Sequence, residues 1–117
     1  MSRALAVLAA VLILPAVAWA HTGVKSRSPH KHATVRHAVK QVRVTFQAHV
    51  ITGLISIETA SGAEVPLRST GLKPSNHAVL LGTPKAPLGN GRYTVRWRAR
   101  AVDGHSEHGA WSFRVKR

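Results

Sequence analysis

Apolar and polar residues alternate with a period of two over most of this chain, and beyond residue 20 no segment of useful length repeats at the helical period. Between Gln41 and Phe46, Val42, Val44 and Phe46 share one face while Gln41, Arg43 and Thr45 share the other, which is the pattern of a half-buried strand. Leu54 to Thr59 continues in β-favouring residues, and Ala60-Ser61-Gly62-Ala63 is expected to turn it toward Glu64 to Leu67 as a hairpin. His77 to Leu81 is a further short candidate. The clearest strand runs from Tyr93 to Ala101, where Tyr93, Val95, Trp97, Ala99 and Ala101 alternate with Thr94, Arg96, Arg98 and Arg100 after an Asn90-Gly91 turn. Ala110 to Val115 repeats the arrangement, with Trp111, Phe113 and Val115 inward.

Six or seven short strands separated by Gly and Pro turns predict an all-β fold, an antiparallel β-sandwich with Greek-key connections. Pro66, Pro74, Pro84 and Pro87 belong in edges and loops, because proline cannot donate to a ladder. Trp97, Trp111 and Phe113 are best explained as core, since large aromatics dominate interiors.

The first twenty residues break the pattern. A positive start at Arg3, an apolar run from Ala4 to Ala18, and Ala18-Trp19-Ala20 as a small-x-small site form an export signal, with cleavage between Ala20 and His21. The competing reading is a membrane anchor, but about 15 apolar residues interrupted by Pro15 fall short of the ~20 that span a bilayer. Residues 1–20 are therefore expected to be removed, and 21–117 to form one domain with a modest core. With no cysteine in the chain, disulfides, thiolate chemistry and iron–sulfur clusters are excluded.

The charge is strongly basic, 17 Lys and Arg against 4 Asp and Glu for a net +13, and of the cations only Arg3 leaves with the signal. Such a balance often marks nucleic-acid binding. Here the cations are spread along the chain, and an exported protein rarely meets nucleic acid. A solvated positive face near an anionic envelope surface is the simpler reading.

Cleavage changes the chemistry of His21. A terminal histidine can grip one metal ion with its free α-amine and its ring Nδ1 together in a six-membered chelate, an ability lost if a single residue precedes it. The second informative place is the loop Val102-Asp103-Gly104-His105-Ser106-Glu107-His108-Gly109 between the last two strands. In extended backbone, residues i and i+2 project to one side, so Asp103 and His105 are positioned to face one ion while Gly104 permits the turn. An isolated Asp-Gly-His is usually only a turn. Its combination with an exposed terminal His21 gives it weight.

These features together resemble the CopC family of small periplasmic copper resistance proteins. The resemblance covers nearly all of the chain beyond the signal: His21 directly after the cut, Ser28-Pro29 soon after, Val42 to Phe46, Tyr93-Thr94-Val95-Arg96-Trp97 leading to Asp103-Gly104-His105, and Trp111-Ser112-Phe113-Arg114-Val115. It implies a seven-stranded antiparallel Greek-key β-sandwich or barrel, immunoglobulin-like or cupredoxin-like, holding one Cu(II) ion with His21, His105 and Asp103. Some members add a Cu(I) site in a methionine-rich loop. Met1 is the only methionine here and leaves with the signal. Soft Cu(I) favours sulfur, whereas amine and imidazole nitrogens suit Cu(II), so a Cu(II)-only binder is expected. Three nitrogens, two from His21 and one from His105, match the tetragonal preference of Cu(II), with Asp103 as a fourth or axial oxygen.

The resemblance also implies a monomeric periplasmic carrier, not an enzyme, that sequesters or delivers copper, with an inner-membrane transporter of the CopD type or another carrier as partner. His108 is the best of the remaining histidines as an outer partner or substitute ligand. His30 and His32 leave room for a weaker auxiliary site. The other histidines, His37, His49 and His77, read as solvated. Two other functions compete. A copper-dependent oxidase of the lytic polysaccharide monooxygenase type uses the same terminal-histidine brace, but a domain this small with few aromatics offers little surface for stacking a glycan. A basic envelope-surface protein with incidental histidines leaves unexplained why His21 and Asp103-Gly104-His105 occur together.

Overall fold

The computed structural model describes residues 22–117, so the expected signal segment and His21 lie outside the described residues. Eight strands follow in chain order: β1 (Val24–Ser28), β2 (Thr34–Val35), β3 (Val42–Phe46), β4 (Val50–Thr59), β5 (Leu67–Lys73), β6 (Asn76–Pro84), β7 (Gly91–Ala101) and β8 (Ser106–Val115). They build two four-stranded sheets, ordered β1-β3-β6-β5 and β2-β8-β7-β4. Every pairing is antiparallel except the two-residue β2 against β8. The expected β-sandwich is present, with eight strands in place of seven.

The period-two pattern explains the packing. Along β7, Tyr93, Val95, Trp97, Ala99 and Ala101 are buried and the arginines between them are exposed. Along β3, Val42, Val44 and Phe46 point inward, and Trp111, Phe113 and Val115 do the same on β8. With Ile55, Ile57 and Leu80 they form one core between the sheets. Trp97 meets Phe46 edge to face, ring centroids 5.1 Å apart at 71°, and so joins one sheet to the other. Where β4 borders β5, the Thr70 hydroxyl accepts the Ile55 amide at 2.8 Å and donates to the Leu81 carbonyl at 3.0 Å, a second tie between sheets.

The expected hairpin from Leu54–Thr59 to Glu64–Leu67 forms only in part. Thr59 donates to Ala63 and Val65 donates to Ile57, but at Pro66 the ladder stops and the chain crosses to the other sheet as β5. The segment after β1, which includes a cis Ser28–Pro29 bond, is held along β8. Trp111 donates its indole N–H to the Pro29 carbonyl at 2.9 Å, and His32 and Arg114 make backbone bonds to Ser112 and Ala33.

Gly109 is required where β8 passes under Trp97. A Cβ built there would lie 2.7 Å from three atoms of the Trp97 ring, closer than real contacts allow. Since the ring is fixed by Phe46 and cannot swing aside as a flexible chain end would, Gly109→Ala is expected to destabilise the domain by about 1–3 kcal/mol. A denaturant-unfolding midpoint indistinguishable from that of the parent protein would contradict this.

Candidate metal site at the open end of the sandwich

Antiparallel pairing of β7 and β8 runs up to Arg100 opposite Ser106, which leaves a tight connection carrying Asp103, Gly104 and His105. Gly104 takes a φ of 90°, in the region that disfavours side chains, and donates to the Ala101 carbonyl at 2.9 Å; Ala101 in turn donates to His105 at 2.8 Å. Asp103 folds back over this turn. Its Oδ1 accepts the His105 backbone N–H at 3.0 Å and its Oδ2 meets His105 Nδ1 at 2.8 Å. Asp103 and His105, expected from the sequence to face one ion, are brought together by the turn and bond to each other.

A carboxylate only accepts, so the proton of this contact sits on His105 Nδ1, and in the neutral ring Nε2 carries the lone pair. The bond from the ring, then that from the backbone amide, hold the Asp103 carboxyl below the usual carboxylate range. The same bond, Asp103's charge, and a smaller effect of Glu107 raise the His105 pKa above its ordinary value. Both side chains are solvent-accessible, His105 the more so.

Glu107 is the residue that sequence reading missed. It lies opposite Ala99, on the inward side of β8, and its Oε1 accepts the backbone N–H of Thr22 at 3.0 Å across 85 residues of sequence. Thr22 is buried, and the next residue is fixed as well, since Gly23 accepts the Gln47 amide at 2.7 Å. The beginning of the described chain is thus pinned between β3 and β8, two positions from His105. The strand period alone marks Glu107 as inward-facing, an unusual place for one of four acids, and this was the available signal.

The other histidines are not gathered here. His108 pairs with Arg98 and by alternation faces the opposite side of β8 from Glu107. His32 is bonded to Ser112, about six strand residues or ~20 Å along β8 from Ser106, which removes His30 and His32 from the turn. Among the described residues no group of three or more His, Asp or Glu converges as a metal site. Beside the turn, an open depression of about 1180 Å³ is lined by Leu54, Arg98, Ser106 and His108 among others, without Asp103 or His105.

A family model described as the CopC domain matches residues 24–116. The chain belongs to the CopC family. It is 34% identical over 125 residues to protein YobA of Escherichia coli K12, covering 97% of this chain and 92% of that one. Copper resistance protein C of Xanthomonas campestris pv. juglandis is 31% identical over 117 residues, covering 94% and 91%. Among solved structures, CopC from Methylosinus trichosporium OB3b superposes with a TM-score of 0.70 at 25% identity, over 82% of this chain and 94% of that one. The methionine-rich copper resistance protein PcoC from Escherichia coli shares the fold at a TM-score of 0.68 and 24% identity, over 83% and 100%. The all-β sandwich is that of the CopC family, and the turn with Asp103 and His105 stands at one end of it.

Proposed function

We propose that this CopC-family protein is a periplasmic copper-binding protein, not an enzyme, that carries one Cu(II) ion as cargo between its processed amino terminus and the Asp103–His105 turn. The observation that carries the reading is the Thr22 hydrogen bond to Glu107, which holds the chain one residue after His21 against the strand that leaves the turn. With cleavage after Ala20, the His21 α-amine and ring supply two nitrogens and His105 a third. Asp103 adds negative charge at the ring it orients. No cysteine is present and the single methionine is Met1, so Cu(II) is favoured over Cu(I). The protein acts as a monomer that sequesters the ion or passes it to a CopD-type transporter or another carrier.

Titration of the exported, processed protein with Cu(II), followed by electron paramagnetic resonance, tests this. One equivalent is expected to bind with nitrogen couplings, and little peroxide or oxidised sugar to form with a reductant. His105→Ala is expected to weaken binding by more than the ~10–100-fold that loss of an outer-shell partner causes, and Asp103→Ala by about that amount. Asp103→Asn keeps an acceptor for the ring without the charge and is expected to fall between Asp103→Ala and the parent. Unchanged affinity in His105→Ala would remove the turn from the site.

A further inference from the structure

We propose that the outer face of β4, β7 and β8 is a docking surface for an anionic phospholipid bilayer. Arg96, Arg98 and Arg100 stand on this face at alternate positions of β7, about 7 Å apart along the strand. Pairing places Arg98 between Leu54 and His108, and Arg100 between Thr52 and Ser106. Glu58 answers Arg96 at 3.1 Å, whereas among the described residues Arg98 and Arg100 have no ion-pair partner. Their planar forks are left to bind phosphate oxygens in pairs.

Apolar groups gather at the same end. The exposed large hydrophobic residues of the described chain are Ile51, Leu54 and Val102, at 52%, 61% and 71% exposure. Leu54 is opposite Arg98, Ile51 lies in the irregularity between Val50 and Thr52, and Val102 follows Ala101, the partner of Val50. The open depression described above contains Arg98, Arg100 and Leu54, while Ile51 and Val102 stand outside its lining. Headgroups fit against the arginines, and the aliphatic side chains at the rim reach toward the acyl boundary.

The chemistry of the occupant follows from charge and shape. Cations outnumber acids 17 to 4 over the sequence, and Arg96, Arg98 and Arg100 form an open row on one sheet face, so the attraction is to an extended anionic plane. The depression is open, not a closed pocket for a small molecule. Docked in this way, the turn with Val102, Asp103 and His105 faces the bilayer. The proposal is independent of the copper reading, since none of its contacts uses the metal.

The experiment is flotation of exported protein, its amino terminus verified by mass and the sample kept metal-free, with vesicles at 0.15 M salt. Binding is expected to vesicles of phosphatidylethanolamine and phosphatidylglycerol and not to phosphatidylcholine. Arg98→Gln with Arg100→Gln is expected to lower partitioning about 30-fold, from a loss of about fivefold per cation near a charged surface. Arg98→Lys with Arg100→Lys keeps most of the binding, and Leu54→Ser with Val102→Ser loses about tenfold or more. Lys31→Gln with Lys40→Gln removes two exposed charges elsewhere and is expected to cost less than about threefold. Equal losses in the two glutamine pairs, no binding to anionic vesicles, or capture only by a polyglutamate peptide would each overturn the proposal. Circular dichroism confirms folding of each variant, and unchanged Cu(II) titration of the Arg98→Gln, Arg100→Gln protein separates this test from that of the metal site.

Discussion

One alanine placed ahead of His21 in the processed protein is expected to weaken Cu(II) binding by more than a hundredfold, beyond the ~10–100-fold range seen when only an outer partner is lost. The insertion turns the α-amine into an amide, which has no free lone pair at neutral pH, and breaks the six-membered chelate with the ring. Asp103 and His105 stay as they are, and Thr22 keeps its bond to Glu107, so the change isolates the terminal nitrogen. Isothermal titration checks it. Because ligand at a thousandfold above its dissociation constant adds about 4 kcal/mol to stability, the parent's copper-induced rise in thermal midpoint is expected to shrink sharply in the extended protein. Acid acts in the same direction. An amine with an ordinary pKa of about 7.7–8.0 and an imidazole raised above 6.5 by Asp103 must both shed protons to coordinate, so affinity is expected to fall as pH drops below neutral. Asp103, whose carboxyl is lowered, stays ionised throughout that window.

What the sequence disclosed follows from where the relevant interactions lie. Strands β3, β7 and β8 were legible because each buries one face, so Val42, Val44 and Phe46, or Trp111, Phe113 and Val115, write the period directly into the chain. Strand β1 was not, since Lys25, Ser26 and Arg27 lie on a sheet edge with little burial contrast, and β2 is only two residues long. The turn at residues 60–63 predicts a hairpin reaching Leu67, whereas Leu67 pairs with Pro84 of β6. Local turn chemistry at residues 60–63 is real, but Pro66 ends that ladder, and the pairing of Leu67–Lys73 with β6 is decided by tertiary packing. The site divides in the same manner. Asp103 and His105 are two apart and their contact follows from the turn, whereas Glu107 and Thr22 are brought together only by the closure of the two sheets. Gly109 looked like loop glycine from sequence; its role is set by a tryptophan on the neighbouring strand.

Trp97→Ala is expected to cost about 3–5 kcal/mol, the range for truncating a large buried aromatic. For a domain of this size that is a large share of a total of about 5–15 kcal/mol, and a fall in thermal midpoint of more than ~12 °C. The ring touches three parts of the architecture at once: it lies in β7, crosses Phe46 of the other sheet edge to face, and covers Gly109 of β8, so its removal leaves a void between sheets that only large movements can fill. Trp97→Phe is expected to be milder. The indole N–H has no hydrogen-bond partner among the described residues, so what phenylalanine gives up is volume and not a bond. Thermal unfolding measures both, and a midpoint within ~2 °C of the parent for Trp97→Ala would show that the two sheets are held together elsewhere. Since Gly109 is two residues from Glu107, the damage falls on the strand that anchors Thr22, and excess Cu(II) is expected to recover part of the loss in Trp97→Ala. The same addition is expected to recover much less when an alanine precedes His21, because the ion then ties the turn to nothing.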